Sequence, residues 1–231
     1  MQLSDVKALV TGGGTGIGLE TARRIIDAGG QAVICGRRPD VLADAAKSIG
    51  ATAIAADVSH EDQVDELVRG SQEALGGLNV LVNNAAFAYS APLLDLDTER
   101  FRNVYETNVI GAMMVARACA RVFVEQTSGT IINVGSTAAH KGYPGGSAYA
   151  SSKFALSGLT ECWRAELRPH GIRVMQMDPS EVQTPFGGRD MSQLNDTKLI
   201  ADDIAHMIVA MIALPDRGFV TNTMVWATNP K

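Results

Sequence analysis

Ser136, Tyr149 and Lys153 are spaced in the sequence in a way that could support proton transfer. Tyr149 and Lys153 are four residues apart, so in a helix both side chains leave the same face, one turn apart. The ammonium charge would favour the phenolate and lower the tyrosine pKa from about 10 toward the working range of an acid–base catalyst. Ser136 precedes Tyr149 by thirteen residues and could hydrogen-bond the group that the tyrosine protonates. Tyrosine and lysine also meet at this spacing by chance on many helices, so the surrounding elements must decide between the two interpretations.

A glycine-rich turn near the N-terminus is the second feature with a chemical meaning. The segment TGGGTGIG (residues 11–18) follows an apolar run and precedes a segment of helical period. Glycines let the backbone turn tightly and approach a pyrophosphate, whose charge then sits at a helix N-terminus. A purely structural turn is the alternative, but the position between strand and helix favours dinucleotide binding. The predicted cofactor contacts in this turn are Gly12, Thr15, Gly16, Ile17 and Gly18.

The two arginines after the second apolar run bear on the choice of cofactor. In dinucleotide-binding units the residue at this place reads the adenosine ribose, and a carboxylate there accepts from the 2′-hydroxyl. Here Arg37 and Arg38 occupy it, and a guanidinium fork suits a 2′-phosphate. We therefore predict NADP(H) rather than NAD(H), with a solvated surface arginine as the alternative. Asp57 and Val58, which end the third strand, should lie beside the adenine, although Asp57 would equally serve as a helix cap.

Short apolar runs alternate with segments of helical period along the whole chain. The runs are continuously apolar, as in strands buried on both faces, and the alternation favours right-handed βαβ crossovers. The sequence therefore predicts an α/β fold, a doubly wound parallel seven-stranded sheet with helices on both faces. We expect a single domain over residues 1–231, with a mobile lid or an ordinary surface loop at about 180–200. The predicted strands are Val6–Gly12, Gln31–Gly36, Ala51–Val58, Leu78–Ala85, Gly129–Ser136, Gly171–Pro179 and Gly218–Ala227.

Composition argues against several classes of function. The chain has 231 residues and a formal net charge of −5 at pH 7, which argues against nucleic acid or an anionic membrane surface as a partner. No apolar run reaches the roughly 18–20 residues needed to span a bilayer, and the first residues lack a signal-peptide pattern. Cys35, Cys119 and Cys162 are expected to be buried free thiols. No Cys/His cluster has zinc-site spacing, so we expect no metal site. Free thiols fit a reducing compartment, so we expect a cytoplasmic protein.

Taken together, these motifs resemble the short-chain dehydrogenase/reductase family over nearly the whole chain, from Val6 to about Trp226. The resemblance implies a compact, single-domain, Rossmann-like fold with three α/β/α layers. Ala86 and Ser180 stand where the family usually has glycine. The matching positions are Thr11, Gly12, Gly16 and Gly18 of the glycine turn, the stretch Asn83-Asn84-Ala85-Ala86, the helix asparagine Asn108, the set Ser136, Tyr149 and Lys153, and the stretch Pro179–Thr184.

The resemblance implies a role for each matching residue. Tyr149 gives its proton to the substrate carbonyl oxygen while NADPH supplies hydride, and Ser136 hydrogen-bonds that oxygen. Lys153 lowers the Tyr149 pKa and binds the nicotinamide ribose, and Asn108 holds a water against Lys153. Further cofactor contacts are implied for Asn84, Ala85, Tyr149, Pro179, Val182 and Thr184.

The substrate is less constrained by the sequence. The candidate pocket residues are mostly apolar or small, which suits a small-molecule ketone or aldehyde with an apolar group. The leading prediction is an NADPH-dependent carbonyl reductase. The alternatives are a 3-oxoacyl-thioester reductase, an NAD(P)+-dependent alcohol dehydrogenase and, remotely, a non-catalytic NADP(H)-sensing protein. The predicted substrate contacts are Ser136, His140, Tyr143, Tyr149, Ser180 and Phe186, with a surface-loop position as the alternative for His140.

Self-association is also implied by the resemblance. The predicted helices Thr98–Val124 and Ser147–Arg168 would pack against their copies in a four-helix contact. The sequence leaves a homodimer and a homotetramer equally open.

Overall fold

The predicted sheet is present as one seven-stranded, fully parallel sheet in the computed structural model, which describes residues 1–228. Its strands lie in the order β3-β2-β1-β4-β5-β6-β9. The order reverses between β1 and β4, so a crevice opens at the carboxyl ends of these strands. The strands are β1 (Lys7–Thr11), β2 (Gln31–Gly36), β3 (Thr52–Ala55), β4 (Val80–Asn83), β5 (Gly129–Val134), β6 (Ile172–Pro179) and β9 (Asn222–Val225), with a separate pair, β7 (Val182–Gln183) and β8 (Leu199–Ile200).

The helices cover both faces of this sheet and give it three layers. Successive strand residues point to opposite faces, so Ala8 and Val10 of β1 pack into one core cluster while Leu9 packs into the other. The first cluster contains buried residues of α1, α2 and α7, and the second contains buried residues of α3 and α5 with partly buried residues of α6. The helices are α1 (Gly16–Asp27), α2 (Pro39–Ile49), α3 (Glu61–Leu75), α4 (Thr98–Tyr105), α5 (Ala112–Glu125), α6 (Ser147–Leu167) and α7 (Ala201–Ala213).

The two edge strands are shorter than the sequence predicts. The third strand covers Thr52–Ala55 instead of residues 51–58, and the last covers Asn222–Val225 instead of residues 218–227. Each of these strands has one neighbour, so its ladder ends where that neighbour turns away; Gly36 of β2 pairs with Ala55 at the end of β3. The residues beyond Ala55 are thereby free to line the crevice.

A π-helical segment, Glu106–Gly111, interrupts the long helix predicted at residues 98–124. It joins α4 to α5 without a break, and Asn108 lies inside it. Segments of this kind change the direction of a helix and are frequent at functional sites. The predicted single helix therefore consists of three consecutive pieces, and the matching asparagine lies in the middle one.

The continuous helical stretch Thr98–Glu125 is long and apolar enough, by length and composition only, to cross a membrane. Val115, Cys119 and Phe123 on this stretch are buried in the core cluster beneath the sheet. This packing accounts for the apolar composition, because a helix that covers a sheet needs an apolar face.

The cysteines differ in part from expectation. Cys35 and Cys119 are buried free thiols, as predicted, but Cys162 is exposed. The burial prediction for Cys162 was wrong because this position of α6 faces away from the sheet. Burial raises the pKa of Cys35 to about 12 and also raises the pKa of Cys119, so both buried thiols are unreactive.

Candidate active site

One large cleft runs along the carboxyl edge of the sheet and has a volume of about 970 Å³. It begins at the glycine turn after β1 and reaches the segment that follows β6, so it spans the point where the strand order reverses. Most of the predicted site residues line it. These are Gly12, Thr15, Gly16, Ile17, Arg37, Arg38, Asp57, Val58, Asn84, Ala85, Ser136, Tyr143, Tyr149, Lys153, Pro179, Ser180, Val182, Thr184 and Phe186.

The glycine turn is held by close backbone packing and by the side chain of Asn84. Gly12 and Gly16 have φ of +64° and +56°, values that favour glycine. Asn84 at the end of β4 donates from Nδ2 to the carbonyl oxygens of Thr11 and Gly12 at 2.9 and 3.2 Å. Gly18 does not line the cleft; a Cβ there would lie 2.6 Å from the Gly12 carbonyl oxygen. Its role is to let α1 approach the turn.

The N-terminus of α1 is suited to an anion. The N-cap residue Thr15 makes no side-chain capping hydrogen bond, so the first N–H groups of the helix have no side-chain acceptor there. Thr15, Gly16 and Ile17 all line the cleft. Backbone donors and the helix dipole together favour a phosphate at this place.

The adenosine end of the cleft carries the two predicted arginines. Both are exposed, and Arg37 Nη1 lies 3.7 Å from Asp57 Oδ2. Burial alone would raise the Asp57 pKa, but hydrogen bonds from the Ser59 backbone and hydroxyl, together with the Arg37 charge, hold it below its ordinary value. Asp57 therefore stays ionised; it fixes the turn into α3 and orients Arg37 along the cleft.

Ser136, Tyr149 and Lys153 meet in the middle of the cleft, as their spacing predicts. Tyr149 and Lys153 lie on α6, with Lys153 Nζ 5.7 Å from the centre of the Tyr149 ring. Lys153 is buried and donates to the carbonyl oxygen of Val134 at 2.8 Å. The Ser136 side chain acts on the Tyr149 phenol and lowers its pKa. The three groups thus lie together in one part of the cleft.

The ionisation of Tyr149 differs from the sequence-based expectation. Burial raises the pKa of Tyr149 to about 12, which outweighs the opposing hydrogen bond from Ser136. Burial likewise lowers the pKa of Lys153 to about 8. The prediction of a lowered tyrosine pKa is therefore wrong for the protein alone, because desolvation of the phenolate is the largest influence on this pKa. Near neutral pH the phenol keeps its proton, so Tyr149 is set up as a proton donor.

Asn108 lies outside the cleft lining and is buried. Its Oδ1 accepts from the Phe87 backbone N–H at 2.7 Å, and its Nδ2 donates to the Phe87 carbonyl and to Ser152 Oγ, both at 3.0 Å. The side chain therefore joins the segment after β4 to α6, next to Lys153. The predicted water contact of Asn108 with Lys153 stays a prediction.

The substrate end of the cleft is lined by aromatic and charged side chains. The ring centres of Phe186 and Tyr149 are 5.9 Å apart, and Tyr143 also lines this end. Arg189 and Trp226 also line the cleft, although neither was predicted as a site residue. No local motif marks them, since the fold alone brings the segment after β6 and the end of β9 to the same opening.

The segment at residues 180–200 has internal order. β7 and β8 pair in parallel. Gln183 joins the two ends of this segment by accepting from Asn195 N at 2.6 Å and donating to Asn195 O at 2.8 Å.

The two positions that depart from the family glycines are not strained. Among residues 1–228, Thr127 has the only positive φ outside glycine, so Ala86 and Ser180 occupy ordinary backbone regions.

His140 is placed differently from its predicted substrate contact. It is absent from the cleft lining, and its Nε2 lies 2.8 Å from Oδ2 of the buried Asp178. The imidazole contacts Asp178 and does not face the cleft, because a buried carboxylate needs hydrogen-bond partners.

Within residues 1–228, no three His, Cys, Asp or Glu side chains are grouped to hold a metal ion.

Comparison with known proteins agrees with this geometry. A protein-family model described as short chain dehydrogenase matches residues 6–195. An uncharacterized oxidoreductase of Staphylococcus saprophyticus is 30% identical over 231 residues, covering 97% of this chain and 98% of the relative. A solved structure described as a short chain dehydrogenase/reductase family protein is 35% identical with a TM-score of 0.87, covering 97% of each chain.

Similar solved structures hold both kinds of nicotinamide cofactor. An alcohol dehydrogenase from Thermococcus sibiricus, complexed with 5-hydroxy-NADP, is 25% identical with a TM-score of 0.86 and covers 97% of this chain and 98% of its own. A 3-ketoacyl-(acyl-carrier-protein) reductase from Brucella melitensis, complexed with NADH, is 29% identical with a TM-score of 0.87 and covers 96% and 97%. With the family model matching most of its length, this chain is an oxidoreductase that belongs to the short-chain dehydrogenase/reductase family.

Proposed function

We propose that this protein is an NADPH-dependent reductase that converts the carbonyl of a small ketone or aldehyde to an alcohol. The observation that carries the proposal is the convergence of Ser136, Tyr149 and Lys153 in a cleft that begins at the glycine turn. Bound NADPH would supply the hydride, and the chain supplies placement and the proton.

The proton would come from Tyr149. Its raised pKa keeps the phenol protonated near neutral pH, which is the state needed to protonate a developing alkoxide. Ser136 would donate to the same oxygen and stabilise its charge. Lys153 lies one helical turn away and would hold the ribose of the nicotinamide while its charge assists loss of the phenol proton. This arrangement favours reduction over oxidation.

The residues that line the cleft fit NADP(H). The uncapped N-terminus of α1 would take the pyrophosphate, and Arg37 with Arg38 would take the 2′-phosphate. Asp57 and Val58 would border the adenine, Asn84 and Ala85 the adjacent ribose, and Pro179, Val182 and Thr184 the nicotinamide side. Despite the ion pair of Arg37 with Asp57, 59% of the Arg37 side chain is accessible, so donors remain for a phosphate.

The substrate walls favour an apolar carbonyl compound. Tyr143, Phe186 and Trp226 give one end of the cleft an aromatic surface next to the proton donor, and Ser180 adds a polar contact. A 3-oxoacyl thioester is the second candidate, because Lys141 and Arg189 also line this opening and one structural neighbour is a 3-ketoacyl reductase. Another structural neighbour is an alcohol dehydrogenase, which makes oxidation of an alcohol a further candidate. The protonated phenol and the two arginines favour the reductive direction with NADPH.

The test is an NADPH-oxidation assay of the purified protein, with NADH in parallel. The panel contains aryl ketones, β-keto esters, diketones, quinones and a 3-oxoacyl thioester. Turnover with NADPH on the ketones supports the proposal, and turnover confined to the thioester supports the second candidate. Cofactor binding without turnover on the whole panel would contradict a general carbonyl reductase and favour a non-catalytic NADP(H)-sensing protein.

We further propose that the protein acts as a homo-oligomer of single-domain subunits in the cytoplasm. An apolar hollow of about 550 Å³ lies between α5 and α6; we call it the α5–α6 groove and define it by Met113, Ala116, Ala120, Trp163 and Leu167. Charges of both signs, including Arg117, Arg121 and Glu166, surround it. A self-complementary contact of two copies would bury such a face and pair these charges.

A further inference from the structure

The side chain of Asp178 lies at the end of β6, directly behind the catalytic groups, and is fully buried. Its Oδ1 accepts from the Ser136 backbone N–H at 2.9 Å, and its Oδ2 lies 2.8 Å from His140 Nε2. Gln176 Nε2 lies 2.8 and 2.9 Å from the two oxygens. A buried carboxylate is costly unless several donors compensate it, and here both oxygens are satisfied.

These bonds hold both ends of one short turn. Ser136 is the N-cap of the 3-10 turn Thr137–Ala139, and His140 is its C-cap. Asp178 therefore binds the backbone at the start of the turn and the imidazole at its end. We call the segment Ser136–His140, held in this way, the clamped turn.

The fit beneath the clamped turn leaves no spare room. A Cβ on Gly135 would lie 2.0 Å from Asp178 Oδ1, so the carboxylate packs directly against the main chain that carries Ser136. Gly135 N also donates to the Met177 carbonyl at 2.8 Å, which ties the start of the turn to β6. The position of Asp178 thus sets the position of the Ser136 backbone.

The orientation of the Ser136 hydroxyl follows from this turn. Ser136 Oγ accepts from the Ala138 N–H at 3.1 Å, and the same side chain lowers the pKa of the Tyr149 phenol. The hydrogen bond to Ala138 exists only while the turn is formed. A change in the turn would therefore move the hydroxyl relative to the phenol and to any oxygen that the two groups share.

We propose that Asp178 and His140 are positioning residues for carbonyl reduction, holding the clamped turn so that Ser136 stays aligned with Tyr149. The inference rests on the proposed function and adds two residues to its machinery. Neither residue reaches the cleft lining, so each acts through Ser136.

The negative charge of Asp178 also supports the protonation states that the proposed reduction needs. Burial is the main influence on both catalytic groups, raising the pKa of Tyr149 and lowering that of Lys153. The negative charge of Asp178 raises both pKa values. It thereby favours a protonated phenol and a charged lysine, the pair of states that reduction requires.

The experiment compares His140→Ala, His140→Gln and Asp178→Asn with the wild-type enzyme, using NADPH oxidation on the best ketone of the panel. Because small displacements of a catalytic group cost up to about 100-fold in rate, we expect His140→Ala to lower kcat about tenfold. The Kd for NADPH should not change, since the clamped turn supplies none of the contacts proposed for the pyrophosphate or the 2′-phosphate. His140→Gln keeps an N–H donor toward Asp178 and should recover most of the lost rate.

Asp178→Asn removes the charge but keeps an acceptor for Ser136 N–H. We expect a lower kcat, and a Lys153 titration, followed by NMR of 13C-labelled lysine, that moves to lower pH. Ser157→Ala is the matched control: Ser157 Oγ accepts from Gln176 Nε2 at 2.6 Å but does not touch the turn, so its kcat should equal that of wild type.

The outcomes separate the two proposals. Wild-type kcat in His140→Ala and Asp178→Asn would overturn the inference while leaving the proposed reductase activity intact. A kcat of His140→Gln no higher than that of His140→Ala would also overturn it. A wild-type protein without turnover on any carbonyl would instead overturn the proposed function, and with it any positioning role in reduction. If Asp178→Asn fails to fold, the two His140 variants still decide the question, because this side chain is 40% exposed.

Discussion

At the scale of single residues, Tyr149 is the group on which the proposed chemistry depends. The change Tyr149→Phe removes the acidic proton and keeps the ring that packs against Phe186. We expect carbonyl reduction to fall by about 10²- to 10⁴-fold, the usual contribution of a positioned general acid, with little change in NADPH affinity. NADPH oxidation and cofactor-fluorescence titration measure the two quantities. Parent-rate reduction by Tyr149→Phe would show that another group supplies the proton.

Lys153 predicts a pH dependence of stability. Its folded-state pKa is about 8 against an ordinary value of 10.5, so between these pH values the unfolded chain binds a proton that the folded chain does not. The free energy of unfolding should therefore rise with pH in this window, and burial of the charged lysine should cost stability fully below pH 8.

The comparison that isolates this effect is wild type against Lys153→Met, by urea denaturation from pH 7 to 10. The stability of wild type relative to the variant should increase by on the order of 2 kcal/mol between pH 8 and 10. Tyr149, with a pKa raised to about 12, opposes the trend only above pH 10. A difference that stays flat from pH 8 to 10 would contradict a lowered lysine pKa.

Arg37 is the residue that tests the choice of cofactor. Arg37→Asp replaces a cation by a carboxylate, which would repel a 2′-phosphate and accept from a 2′-hydroxyl. We expect Kd for NADPH to rise about 10- to 100-fold, the range for a lost charged hydrogen bond, with NADH affinity kept or improved. Arg69→Asp, an exposed arginine paired with Glu73 on α3, is the charge-matched control. Equal losses for both cofactors in Arg37→Asp would remove Arg37 from the 2′-phosphate site.

At the scale of elements, the contact of the glycine turn with α1 is set by backbone distances. Gly18→Ala would place a Cβ 2.6 Å from the Gly12 carbonyl oxygen and from Asn84 Nδ2, whereas Gly14→Ala would meet nothing closer than 3.7 Å. Overpacking against backbone costs roughly 1–3 kcal/mol, so we expect a loss of that size for Gly18→Ala only. Urea denaturation of both variants measures it. Equal stabilities would mean that α1 shifts without cost.

The helix that carries Tyr149 and Lys153 depends on its neighbours as well as on its own sequence. The π-helical segment brings Asn108 against Ser152, beside Lys153, with Nδ2 3.0 Å from Ser152 Oγ. A regular helix through residues 98–124 would advance at a different angle and displace this amide. The interruption therefore joins α5 and α6 at the site where the lysine is needed.

At the scale of the whole molecule, the α5–α6 groove predicts the state of assembly. Ala120→Glu puts a carboxylate into its apolar lining near Glu125 and Glu166, and burying that charge in a contact between copies would be costly. We expect sedimentation to show an oligomer for wild type and a monomer for the variant. Ala213→Glu, on the exposed end of α7, is the matched control and should leave assembly unchanged. A wild-type monomer, or an oligomeric Ala120→Glu, would contradict the proposed contact.

The sequence by itself determined the order in which strands occur along the chain, the glycine turn and the set of Ser136, Tyr149 and Lys153. These features are local: apolar runs of strand length, a turn that only glycine can form, and side chains one helical turn apart. Each can be recognised in the sequence without knowing what packs around it, so the sheet, the family and the position of the cleft could be predicted.

Only the tertiary structure decided what depends on contacts between distant segments. The Tyr149 pKa rises because burial by several elements excludes water from the phenol. The four-residue spacing to Lys153 carries no information about that burial. Asp178 meets the clamped turn although they are about forty residues apart, and Trp226 reaches the cleft from the last strand. Burial and long-range contact are properties of the packed chain, and no periodicity in the sequence encodes them.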